Sequence, residues 1–232
     1  MKQHLLLLHG ALATEAQLKP LARELSAFYH VHTFSFSGHA GQPLNTATFS
    51  MPNFAQQVTQ YIETQSLTAV HLFGYSMGGY AALVAALALP TIIRSVTTLG
   101  TKLDWSPATA ALENRFLDPD KMREKVPEFA AHLEQLHTPT PLPDLLTAIA
   151  AMLRGLGSRP LLTTENLATL NTPVQIMVGE LDKTTGVDAA RRFADHMPHA
   201  TFEILMNTPH PLERVNPDLL VSRIARFIET AA

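Results

Sequence analysis

Three side chains in this sequence are of the types that activate a hydroxyl, and each sits in a stretch built like a loop. Ser76 lies in Gly74-Tyr75-Ser76-Met77-Gly78-Gly79. The flanking glycines fit the G-x-S-x-G pattern, in which a chain turns sharply from strand to helix and lifts the serine hydroxyl into a cleft. A serine hydroxyl is a weak nucleophile at neutral pH and needs a neighbouring base, normally a histidine oriented by a carboxylate. His210 in Asn207-Thr208-Pro209-His210-Pro211 and Asp182 in Gly179-Glu180-Leu181-Asp182 supply those types. Asp104 is a second candidate for the acid, and His39 a second loop histidine whose bland reading is loop packing. The chemistry of such a set is acyl transfer: the serine attacks a carbonyl, the histidine moves the proton, and the N–H of Met77, just after the nucleophile, holds the oxyanion.

These residues need elements to bring them together. Residues 69–75 are apolar and β-prone, and residues 77–89 are rich in Ala and Leu, so a buried strand and a buried helix meet at Ser76. Residues 5–8 read as another buried strand, running into His9-Gly10-Ala11-Leu12. A helix follows with Thr14 as N-cap and Leu18, Leu21, Leu25 and Phe28 on one face. Residues 29–36 read as a strand ending in a Gly- and Pro-rich loop, and 53–67 as a helix. Strands are expected at 93–100, 174–178 and 202–205, and helices at 187–197 and 219–228. This alternation implies a parallel sheet with helices on both faces. Asp182 and His210 then follow strands directly, at the carboxyl ends where α/β sheets bind ligands.

The alternation breaks at 102–171, where helical patterns are punctuated by proline and no strand is legible. One stripe joins Met122, Val126, Phe129, Leu133 and Leu136; another joins Leu145, Leu146, Ile149, Met152 and Leu153. We expect a core of 1–101 and 172–232 with a helical lid at 102–171, some of whose side chains face the cleft. Leu12 and Trp105 are candidate pocket walls, though a Trp near a lid hinge is as often plain packing.

Composition narrows the function. A chain of 232 residues with 46% hydrophobic content suits one domain with an insertion. A net charge of −3 gives no basic footprint for nucleic acid or an anionic membrane. With no cysteine, thiol nucleophiles, disulfides and cysteine-held metals are out, and a reducing cytoplasm is compatible. The four leucines at 5–8 are too few for the apolar core of a secretory signal. No stretch approaches the roughly 18 apolar residues of a membrane span.

In these motifs and their order, Ser76 then Asp182 then His210, the chain resembles the α/β-hydrolases, among them small bacterial carboxylesterases and enol-lactone or carrier-protein ester hydrolases. The resemblance covers nearly the whole chain. It implies an α/β-hydrolase fold with a mostly parallel sheet of about six strands, since no room is left for an N-terminal antiparallel hairpin. His9-Gly10 resembles the family's oxyanion loop, which implies Ala11 N–H as the second donor and His9 as its brace. Ser37-Gly38-His39-Ala40-Gly41 resembles its Gly-His-Gly loop, with Ala40 for a common glycine and Ser35 where aspartate is frequent. The resemblance also leaves Glu180 to the turn.

The expected activity is that of a cytoplasmic serine esterase acting on small apolar esters, with no cofactor and no metal. The same triad could instead open lactones, cleave carbon–carbon bonds, or serve lyase or perhydrolase chemistry, and a silent small-molecule receptor is the rival from another class. Dehalogenases and epoxide hydrolases of this fold carry aspartate where Ser76 stands.

Overall fold

The computed structural model of the protein describes residues 2–231. Six strands form a single, wholly parallel sheet in the order β2-β1-β3-β4-β5-β6. They are β1 (His4–Leu8), β2 (His30–Thr33), β3 (Val70–Tyr75), β4 (Ile93–Leu99), β5 (Val174–Gly179) and β6 (Ala200–Leu205). Helices α1 (Glu15–Leu25), α2 (Met51–Thr64) and α3 (Met77–Ala88) connect the first four strands. Between β4 and β5 come α4 (Pro107–Asn114), α5 (Pro119–Lys125), α6 (Pro127–His137), α7 (Leu142–Ser158) and α8 (Thr164–Leu167). Then α9 (Val187–Ala194) links β5 to β6, and α10 (Pro217–Ala231) closes the chain.

The leucines of β1 explain the layering. Leu5 and Leu7 point into one core with Leu18, Leu21 and Leu25 of α1 and Ile224 and Ile228 of α10. Leu6 and Leu8 point the other way, into a core with Phe54, Val58 and Ile62 of α2 and Ala81, Ala82 and Ala85 of α3. Period-two alternation therefore feeds both faces from one fully apolar run. Each leucine so buried contributes about 1.5–3 kcal/mol.

Local signals set the ends. Thr14 caps α1, its side chain accepting from Ala16 N–H, and Ser50 caps α2 by accepting from Asn53 N–H. Three sequence expectations fail for identifiable reasons. β2 stops at Thr33 instead of running to 36, because Phe36 N–H leaves the ladder to donate to His9 Nε2 (3.0 Å). Phe28 falls past the end of α1 and is 56% exposed, the chain having turned at Ser26, whose hydroxyl bonds Ala22 O. The stripe over 122–136 is broken by Pro127, which opens a new helix; Val126 and Phe129 face solvent, while Met122 and Leu133 join Leu142 and Leu146 in a small core inside the insertion.

Candidate active site

The site starts with the turn at Ser76. Its φ and ψ are 52° and −116°, a strained conformation for a non-glycine residue, and it joins the last residue of β3 to the first of α3. Two hydrogen bonds hold it there: Ser76 N–H to Leu99 O at the end of β4 (2.9 Å), and Thr101 hydroxyl to Ser76 O (3.0 Å). Close packing demands the glycine at 78, where a Cβ would lie 2.5 Å from Leu8 O and 2.6 Å from His9 O. The first turn of α3 therefore rests directly on the end of β1, bringing residues 76–77 beside the loop that follows β1.

That loop is held from within. His9 is fully buried; its Nδ1–H donates to Gly10 O (2.7 Å) and its Nε2 accepts from Phe36 N–H (3.0 Å), which fixes one tautomer. Burial, against the Gly10 bond and aided by the His137 charge, lowers its pKa to about 4, so it stays neutral. Because a trans peptide points its C=O and N–H in opposite directions, the bond to Gly10 O also orients Ala11 N–H. Neither Ala11 N–H nor Met77 N–H has a hydrogen-bond partner among the described residues. Both residues border one cleft with Ser76.

The fold brings Asp182 and His210 together. The bond from His210 Nδ1 to Asp182 Oδ2 is 2.8 Å, and the carboxylate side chain is only 1% exposed. Its other lone pairs are satisfied by the N–H groups of Thr184 (2.9 Å) and Thr185 (3.0 Å) and by the Thr185 hydroxyl (3.0 Å). Burial pushes the carboxyl pKa up, but the His210 bond and charge together with the Thr185 bonds outweigh it and hold it below the usual value. The imidazole packs across Gly100, where a Cβ would lie 3.2 Å from Nδ1, and beside Tyr75, whose hydroxyl donates to His210 O (3.0 Å). Among the described residues Ser76 Oγ has no hydrogen-bond partner, His210 included.

The cleft has a volume of about 160 Å³, with the elbow at its floor and the insertion as its far wall. Ile149, Met152 and Leu153 of the second stripe face it, as does Trp105. Leu12 is not among the residues that line it; its side chain packs against the insertion's own core and against the large core. Asp104, the rival acid, is 3.7 Å from Lys102 Nζ and takes no part in the His210 pair. His39 is buried, with Nδ1 on Ser37 O, and Glu180 accepts from Asn207 N–H, each bonded within the loops.

Two cleft features escaped the sequence. Met51, at the start of α2, lines the cleft, and its helix gave no such sign. Lys102 donates to Thr184 O (3.0 Å) and lies 3.5 Å from Glu113 of α4. A lysine three residues past the carboxyl end of β4 was the available signal.

A sequence model of the alpha/beta hydrolase family matches residues 5–223. A pimeloyl-[acyl-carrier protein] methyl ester esterase of Aliivibrio salmonicida is 24% identical over 254 aligned residues, covering 97% of this chain and 92% of its own. Among solved structures, a thermophilic esterase from Thermogutta terrifontis superposes with a TM-score of 0.80 at 19% identity, covering 100% of this chain and 91% of its own. The enol-lactonase from Burkholderia xenovorans gives 0.77 at 16%, covering 99% and 92%. With the family match spanning most of the sequence and the sheet, elbow and strand-end loops in the matching order, the chain belongs to the alpha/beta hydrolase family.

Proposed function

We propose that the protein is a serine esterase for small apolar carboxylic esters. The reading is carried by one arrangement: a strained serine at a helix N-terminus, facing a cleft with two unpaired N–H groups, and, packed on Tyr75 next to that serine in the chain, a histidine bonded to a buried aspartate. Ser76 Oγ attacks the ester carbonyl while its proton passes to His210 Nε2. Asp182 keeps the Nδ1–H tautomer and stabilises the imidazolium. The tetrahedral oxyanion lies between Ala11 N–H and Met77 N–H, where the helix N-terminus also favours negative charge. Collapse expels the alcohol, which takes the proton from His210. Water then repeats the sequence on the acyl-enzyme and releases the acid.

The insertion, residues 102–171, acts in this reading as a lid over the acyl group. Its apolar wall of Trp105, Ile149, Met152 and Leu153 suits a medium acyl or aryl chain. The Aliivibrio relative, named for the methyl ester of an acyl chain, is in keeping with that preference. A cytoplasmic location and a small-molecule partner belong to the same proposal; no helix among the described residues is long and apolar enough to cross a membrane.

The test is a fluorophosphonate probe with peptide mapping, run beside p-nitrophenyl esters of increasing chain length. We expect labelling at Ser76, loss of both labelling and turnover in Ser76→Ala and His210→Ala, and a preference for medium chains. Folded protein that is neither labelled nor active would leave the receptor reading standing instead.

A further inference from the structure

One buried side chain of the helical insertion is hydrogen-bonded to the loop carrying Ala11. His137, at the end of α6, is 0% exposed. Its Nδ1 accepts from Ala40 N–H and its Nε2–H donates to Leu12 O, both at 3.2 Å. These two backbone partners set one neutral tautomer.

The partners themselves are unusual. Leu12 has φ 59° and Ala40 φ 51°, two of the five non-glycine residues with positive φ among the described residues. An L-residue with a Cβ resists that conformation and persists in it only where its surroundings over-determine it. Leu12 also packs against the large core that includes α2 and α3, and two further restraints come from the insertion. The side chain packs against the core formed by Met122, Leu133, Leu142 and Leu146, and the carbonyl is held by His137. Ala11, its immediate neighbour, borders the cleft with a free N–H. His9 fixes the peptide on one side of Ala11 from beneath, and His137 fixes the far side from above.

We infer that His137 is a positioning residue for the reaction: by holding Leu12 and Ala40 it makes docking of the insertion a condition for a correctly aimed Ala11 N–H. This rests on the esterase reading above. It adds that the insertion, besides walling the cleft, completes the oxyanion-binding geometry. Burial, opposed by the Leu12 bond and aided by the His132 charge, keeps His137 below the ordinary histidine range and so in the form that can both donate and accept.

The test compares His137→Leu, His137→Gln and Leu167→Ala, the last a buried cavity elsewhere in the insertion. Readouts are kcat and KM on a turned-over p-nitrophenyl ester, the Ki of a matching trifluoromethyl ketone, thermal stability, and hydrogen exchange of the segment 9–14. For His137→Leu we expect kcat to fall about 10- to 100-fold, the scale of one misplaced donor, with KM within about two-fold. The ketone's Ki should rise by the factor lost in kcat/KM, because it binds as the tetrahedral adduct. Exchange at 9–14 should quicken. His137→Gln, which can still donate and accept, should recover most of the activity. Leu167→Ala should lose stability while keeping both kcat and ketone affinity. An unchanged kcat in His137→Leu, or an equal loss in Leu167→Ala, overturns the inference while the esterase reading stands. A wild type that binds no ketone at Ser76 overturns both.

Discussion

Acid should destabilise this protein well above the pH at which its carboxylates titrate. His9 and His71 are buried and neutral, each with its pKa lowered from 6.5 to about 4 by burial, reinforced at His71 by the Arg94 charge. In the unfolded chain both protonate near 6.5. Between those values the unfolded state binds more protons than the folded one, so stability present above pH 6.5 is lost as pH falls. For one histidine with these values the loss between pH 7 and pH 5 is about 2 kcal/mol, hence about 4 kcal/mol for the pair. His39, pushed well below its usual value by burial and by the His9 charge, acts in the same direction. Against the roughly 5–15 kcal/mol that holds a typical domain together, this is a large share.

Asp182 occupies a separate window. Its folded pKa lies below 3.8, so its contribution is kept above that value and disappears only in stronger acid. Urea unfolding at pH 7 and pH 5 reads the histidine effect alone. With a slope of about 2.5 kcal/mol per molar, the pair alone should lower the midpoint by roughly 1.5 M, and His39, His32 and His137, whose pKa values are also lowered, add to the fall. In His71→Gln, whose parent ring bonds Ser95 Oγ, the pH-dependent part should shrink by about 2 kcal/mol whatever happens to stability at pH 7. Equal midpoints at the two pH values would refute the reasoning, since they would mean these rings protonate as readily folded as unfolded.

Other outcomes follow from the site. Asp182→Asn should lower kcat by about 10⁴-fold with little change in KM, because the amide favours the wrong imidazole tautomer; steady-state kinetics check it. Gly78→Ala should cost at least about 2 kcal/mol or displace the Ala11 loop, as its Cβ meets two backbone carbonyls of β1 and the residue after it; thermal melts with kcat measurements distinguish the two. Ala40→Gly should gain about 0.5–1 kcal/mol by relieving a positive φ, measured by urea unfolding.

How legible these features were depends on distance along the chain. The elbow was readable because its strand, glycines and helix are contiguous, and the layering because the leucines of β1 serve both cores from adjacent positions. Asp182 and His210 were found by type and place after strands, although only the fold brings them to 2.8 Å. His137 was missed because its partners lie 97 and 125 residues away and are backbone atoms, which leave no trace in residue type. Leu12 was misjudged for a related reason. Its neighbour Ala11 borders the cleft, but Leu12, at a positive φ, packs its own side chain against the insertion's core and the large core. The stripe over 122–136 failed because periodicity ignores the break that Pro127 imposes.

The cleft is walled in part by thioethers: Met51 from α2, Met77 behind the serine and Met152 from α7. Flexible, polarisable side chains let such a wall reshape around different acyl groups. They also define how oxidants act, since a chain without cysteine has no thiol to intercept peroxide. Sulfoxide formation would turn greasy walls polar, so long-chain esters should lose turnover before short ones as Met152 oxidises, and methionine sulfoxide reductases should restore it.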